Sequence, residues 1–248
     1  MDPKKLQNTI MKKTIIILAA LAGGLTTLLR AQTPPAPVEE SKLSYSVTVD
    51  FPYASKYVFR GLEKTKDTIQ PSIEITSNNL YAGVWMNQPI KGDYDNEIDF
   101  YGGYGIPLDD IWKLDVGGTL YYYPEADKSV SIERSFEGYI GITGTIAGFT
   151  PGVYAYYDFN LKEVIFQGSV GYSIPLKEYG TSLDFTATLG HYSPERGDDY
   201  LYWGVGVNLP IKLSKKATLN FGGQYAGNDL DGVENDTLWF TAGLTVGF

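Results

Sequence analysis

From Leu43 to Phe248 the chain alternates apolar and polar residues with a period of two, over segment after segment. Leu43, Tyr45, Val47, Val49 and Phe51 form the first apolar row; Leu201, Trp203, Val205, Val207 and Leu209 form a late one. Side chains point to opposite faces at every step of a strand, so such rows predict strands with one apolar face. About a dozen such segments of ~10 residues follow one another, the length that crosses a bilayer at a steep tilt. Helical periodicity does not interrupt them, which excludes an α/β or helical-bundle architecture.

Alternation alone does not say which face is inside. A soluble barrel hides its apolar row and shows water a surface rich in lysine and glutamate. Here the other row holds Ser44, Ser46, Thr48, Gln70, Thr119, Gln167, Thr186, Thr188, Asn220 and Gln224, with glycine and tyrosine between them and lysine missing. That composition suits a lumen wall, where neighbours or trapped water satisfy small polar groups, and an outer face turned to hydrocarbon. The expectation is an all-β, up-and-down antiparallel transmembrane β-barrel of about 12 strands. Connections alternate between short turns (77–79, 107–110, 147–150, 175–180, 213–216) and mostly longer polar loops (62–68, 89–96, 124–129, 193–199, 227–236). Trp112 and Phe248 fall at turn-side row ends; Tyr122, Phe159 and Trp203 fall at loop-side ends, as interfacial girdles require.

The N-terminus reads differently. From Met11 a pair of lysines, an apolar stretch and the small residue Ala31 have the order of a secretory signal, with cleavage expected after Ala31. Residues 1–31 are therefore assigned as a signal peptide with an extra leader over 1–10, and the true start codon is Met1 or Met11. A disordered lead-in over 32–41 and the barrel over 42–248 complete the division. The formal charge of −9 argues against a nucleic-acid binder. With no cysteine, the chain has no disulfides, thiolate metal sites or lipoprotein anchor. No cofactor or metal is expected. The partners implied are outer-membrane lipid, lipopolysaccharide and, during insertion, the barrel-assembly machinery; the oligomeric state stays open.

Two stretches resemble known classes. The final row, Leu244, Val246 and Phe248, resembles the C-terminal assembly signal of bacterial outer-membrane barrels. Ser55, Tyr57, Phe59, Arg60 and Gly61 of SKYVFRG are followed in order by Pro71, by Tyr81, Gly83 and Trp85, and by Glu97, Asp99, Tyr101, Gly103 and Tyr104. Over about residues 45–105 this order resembles the Gcw-type family of conserved hypothetical bacterial proteins. That resemblance implies a secreted outer-membrane barrel and carries no established activity. The chain has Leu62-Glu63-Lys64 where the family carries a serine–glutamine step, and Met86-Asn87 where it carries a serine.

Charge within the strands is mostly acidic. Asp50, Glu74, Glu97, Asp99, Asp115, Glu137, Asp158 and Asp184 fall on the polar row and are expected to line the lumen with Arg60, the prominent cation; Arg134 falls on the outward row. Such a lumen favours cations if a path exists. If instead the carboxylates bond to Arg60 and to Tyr81, Tyr101, Tyr121, Tyr154 and Tyr156, the interior is plugged. Both arrangements fit a barrel of this size. The function expected is a small porin-like channel or a structural envelope protein, more a non-enzyme than an enzyme. The alternative is a lipid-modifying hydrolase, since His191 and Ser193 form an H-x-S pair with Glu195 as an orienting acid. The acidic loop carrying Asp229, Asp231, Glu234 and Asp236 reads as solvated, with calcium as its other use.

Overall fold

The computed structural model of the protein describes residues 44–92, 94–127 and 131–248. The signal peptide, its leader and the lead-in lie outside the described residues.

The strands are β1 (Tyr45–Phe59), β2 (Leu62–Ile69), β3 (Ser72–Ser77), β4 (Leu80–Pro89), β5 (Glu97–Pro107), β6 (Trp112–Tyr122) and β7 (Arg134–Gly144). They continue as β8 (Phe149–Asp158), β9 (Glu163–Leu176), β10 (Thr181–Ser193), β11 (Tyr200–Lys212), β12 (Ala217–Asn228) and β13 (Asp236–Gly247). Each pairs antiparallel with its neighbours, and β1 pairs with β13 from Thr48↔Gly247 to Ala54↔Thr241, sealing the sheet. β2 and β3 share one place in the wall, because β1 pairs with β3 through its first half and with β2 through its second. Proline lacks an N–H to give to a ladder, and Pro71 marks the junction between β2 and β3. The described residues thus form a closed barrel of 12 strand positions.

The two faces have the polarity of a membrane barrel. Phe51, Phe166, Leu189 and Phe240 are each more than half exposed, whereas Glu97, Asp99, Asp115, Glu137 and Asp158 are buried. In a single closed sheet the exposed side is the outside, so the apolar rows face out and the carboxylates face in. Leu244 and Phe248 lie on the outer side with the other exposed apolar residues. Closure through β1 and β13 pairs the sheet's two ends over Thr48–Ala54, where an unpaired amide in hydrocarbon would cost several kcal/mol.

The abundance of tyrosine and glycine has a packing cause. Inward tyrosine rings lie over inward glycines of the adjacent strand: Tyr101 over Gly83, Tyr139 over Gly117, Tyr154 over Gly141 and Tyr202 over Gly190. A side chain at any of these glycines would occupy the space of the ring.

One expectation is corrected. Residues 62–68, read as a loop, form β2, paired with β1 through Phe59↔Leu62 across the turn residues Arg60 and Gly61. Four charges in LEKTKDT (Glu63, Lys64, Lys66 and Asp67) mask its alternation. They are compatible with a strand because this one leaves the membrane-facing wall.

Candidate functional site

The site begins where β1 leaves the wall. Beyond Ala54 its ladder with β13 stops, and Ser55 Oγ accepts the Phe240 backbone N–H at 3.0 Å in place of the next rung. On the other flank, β2 pairs with β4 only at Thr68↔Pro89 and Ile69↔Gln88. There the buried Asn87 Oδ1 accepts from Thr68 Oγ1 at 2.7 Å and Gln70 Nε2 at 3.2 Å, and Asn87 Nδ2 donates to Thr65 Oγ1. A register shift between Tyr57 and Val58 adds a bend.

Freed on both sides, the hairpin of β1 and β2 folds into the barrel. Lys56 Nζ donates to Thr237 Oγ1 on β13 at 2.6 Å and pairs with Glu63 Oε2 at 2.6 Å. The tip rests on β11 and β12. Asn228 Nδ2 donates to the Gly61 carbonyl at 2.9 Å, and a Cβ on Gly61 would stand 2.6 Å from the Gly227 carbonyl oxygen. Arg60 and Gly61 both have positive φ, 50° and 77°, which makes the two-residue turn compatible with strand twist.

From this tip Arg60 reaches nearly to the opposite wall. Its Nη2 lies 2.8 Å from Glu137 Oε1 on β7, and its guanidinium stacks over Phe59 (4.5 Å) and over Tyr156 on β8 (5.2 Å). The hairpin thereby divides the interior. On the loop side a cavity of about 750 Å³ is lined by Tyr57, Tyr121, Tyr123, Tyr192 and Tyr200, among others. Its carboxylates are Asp95, Glu97, Glu137, Asp158, Glu163 and Asp198; its cations are Arg60, Lys64 and Arg196. Beneath lies a space of about 210 Å³ whose lining includes Gln167, Thr186, Thr188, Tyr202, Gln224 and Trp239. Arg60 lines both.

Several lumen carboxylates are held by tyrosines. Tyr101 Oη donates to Glu74 (3.1 Å), Tyr121 to Glu137 (3.1 Å), Tyr154 to Asp115 (2.9 Å) and Tyr123 to Glu97 (3.1 Å). Asp50 accepts from Thr245 across the closing seam, and Asp158 from Ser135 and from the backbone of Asn160 and Leu161. One oxygen each of Asp99, Asp115, Glu137 and Asp184 is buried without a hydrogen-bond partner among the described residues. Tyr156 meets the Arg60 guanidinium with its ring face, and Tyr81 packs on Tyr101. Reasoning from the sequence missed Lys56, Lys64, Glu163 and Asn228. The first two enter the lumen on the hairpin, whose second strand is masked by its charges.

The other predicted residues lie elsewhere. His191 Nε2 stands 3.5 Å from Asp199 Oδ2, and Ser193 Oγ donates to the same carboxylate at 3.0 Å. Glu195 is bound instead to Lys162 Nζ at 2.7 Å. That contact holds the Glu195 carboxyl below its ordinary pKa and Lys162 above its own. The expected relay from acid to imidazole to serine is not assembled: both partners face one carboxylate and the expected orienting acid is engaged elsewhere. Asp229 accepts the Leu201 backbone N–H at 2.7 Å, tying the acidic loop to β11. Among the described residues no group of three or more histidine or acidic side chains is placed to hold a metal ion.

Two solved barrels share this architecture. The NanC porin is 14% identical, with 81% of this chain and 98% of that one covered and a TM-score of 0.54. The KdgM porin is 12% identical, with 81% and 99% covered and a TM-score of 0.53. At such identities the likeness is one of fold, that of porin-type outer-membrane barrels. No curated protein sequence matches the chain. The family described as "Bacterial protein of unknown function (Gcw_chp)" matches residues 38–241, in agreement with the resemblance carried by Ser55–Gly61 and the segments after it, and the chain belongs to that family.

Proposed function

We propose that the protein is a narrow, cation-favouring channel of the bacterial outer membrane, with the β1–β2 hairpin as its constriction. The observation that carries this reading is the enclosed interior itself. Carboxylates of β5, β6, β7, β8 and β9 face it, and the cations opposing them are concentrated on the inserted hairpin. Clefts with low-dielectric walls focus the field of such groups and concentrate ions of opposite sign. A path hugging the β5–β9 wall meets acid and phenol; an anion in the larger cavity meets acid on one side and Arg60, Lys64 and Arg196 on the other.

Residues 1–31 act in this account as the export signal and are removed. The terminal Leu244, Val246 and Phe248 row serves recognition by the barrel-assembly machinery. The outer rows contact lipid, and the loops at the wider cavity meet lipopolysaccharide. The short turns then lie on the periplasmic side.

Recording purified protein in planar bilayers under a KCl gradient tests this reading. Stepwise current with potassium more permeant than chloride is expected. A silent, stably inserted barrel would favour the structural envelope role, and chloride preference would remove the acidic-lumen argument.

A further inference from the structure

One site in the interior already holds an occupant. Glu137 is 2% exposed, and its two oxygens are used unequally. Oε1 receives both Arg60 Nη2 and Tyr121 Oη, while Oε2 is buried without a hydrogen-bond partner. The ring faces of Tyr156 and Phe59 bracket the guanidinium. A buried carboxylate, a phenol and aromatic faces are together what holds a guanidinium or a primary ammonium ion. A guanidinium fork can engage both oxygens of a carboxylate. Arg60, approaching from the hairpin tip, engages one.

Glu137, Tyr121 and Arg60 all line the larger cavity, and Arg60 lines the smaller one too. A solute entering from the loop side therefore meets this cage before the passage beneath it. Glu97, Asp158 and Glu163 around the same cavity repel anions from it.

We propose that the Glu137–Tyr121–Tyr156 cage is a binding site for small organic cations bearing a guanidinium or primary ammonium group. Arg60 occupies it as a tethered stand-in until such a solute takes its place. The inference deepens the channel reading and rests on it. Exchange of one guanidinium for another releases the Arg60 anchor, so solute binding and loosening of the hairpin are one event.

Agmatine, which carries a guanidinium and an amine, is a suitable probe. It is added to the loop side during potassium-current recordings and titrated calorimetrically into detergent-solubilised protein. Wild-type protein is expected to show reversible block. Arg60→Ala empties the cage and is expected to bind agmatine about tenfold more tightly, the scale of one charge-assisted hydrogen bond. Glu137→Gln is expected to lose binding, and Glu137→Asp to retain it more weakly; resistance of unboiled barrels to SDS verifies folding of each variant. Equal agmatine affinity in Arg60→Ala and wild type, or undiminished binding in Glu137→Gln, would overturn the proposal. Potassium selectivity without any agmatine binding defeats this inference alone, whereas chloride selectivity defeats the channel reading beneath it.

Discussion

The Asn228 side-chain amide donates to the Gly61 carbonyl at 2.9 Å, joining residues 167 positions apart and pinning the hairpin tip to β12. Asn228 is 1% exposed and also receives the Leu230 backbone N–H, so it serves tip and loop at once. Replacing it with alanine leaves the Gly61 carbonyl without this donor, a loss of about 1–3 kcal/mol of docking free energy. Asn228→Ala is expected to give the same barrel with a larger, noisier single-channel current and faster amide exchange over residues 55–67. Wild-type exchange in that segment would contradict the pinning role.

Gly61 offers a sharper probe. Its φ of +77° is unfavourable for a branched residue, and its Cβ would stand 2.7 Å from Tyr202 Cβ. Gly61→Val combines a clash with about 1–3 kcal/mol of backbone strain. The wall ladders from Thr48 to Ala54 do not involve this residue, so closure should survive while the tip is expelled. Conductance is expected to rise at least as much as in Asn228→Ala. An unchanged conductance would show that the tip does not narrow the passage.

The Lys162–Glu195 pair joins two loops at the cavity mouth. Glu195 has a depressed folded pKa, so its contribution is present above the unfolded value and lost as pH falls through the lower folded one. Lys162 has a raised folded pKa, so its contribution is present below the unfolded value and lost as pH rises through the higher folded one. The contact is therefore expected to hold between about pH 5 and pH 10 and to be lost in acid, as the pH falls through the lowered Glu195 value. Spin labels on Leu161→Cys and Arg196→Cys, clean because the chain has no cysteine, should report a narrow distance distribution at pH 7. Broadening is expected on acidification well below the ordinary carboxylate range and in high salt, since the pair is exposed and screened. A distribution indifferent to both would rule the pair out as a tie.

The H-x-S pair is predicted to be non-catalytic. Ser193 donates to Asp199 and His191 faces the same carboxylate, so no imidazole is placed to take the serine proton. His191→Asn is expected to leave the acylation pattern of lipid A unchanged by mass spectrometry. A changed pattern would restore the hydrolase reading.

The barrel was legible because period-two rows need only local alternation, and Leu201–Leu209 and Leu238–Phe248 carry it without a charge on the outer face. The inserted hairpin was less so. Arg60-Gly61 reads equally as a strand end, and Glu63, Lys64 and Lys66 hide the second strand, since a segment leaving the wall no longer obeys the lipid-facing rule. Lumen carboxylates such as Glu97 and Asp115 could be placed by parity. Their tyrosine partners depended on register, which alternation alone does not supply, and Asn228 gave no signal because its partner is a backbone carbonyl.

The central claim is that lumen acids set a cation-favouring path. Its most direct test is the reversal potential under a KCl gradient, measured for wild type and for a variant carrying Glu74→Gln, Asp99→Asn and Asp115→Asn. These near-isosteric changes keep a carbonyl acceptor for the Tyr101 and Tyr154 hydroxyls. The account predicts potassium preference in wild type and a shift toward zero in the variant; chloride preference in wild type, or an unshifted potential in the variant, contradicts it.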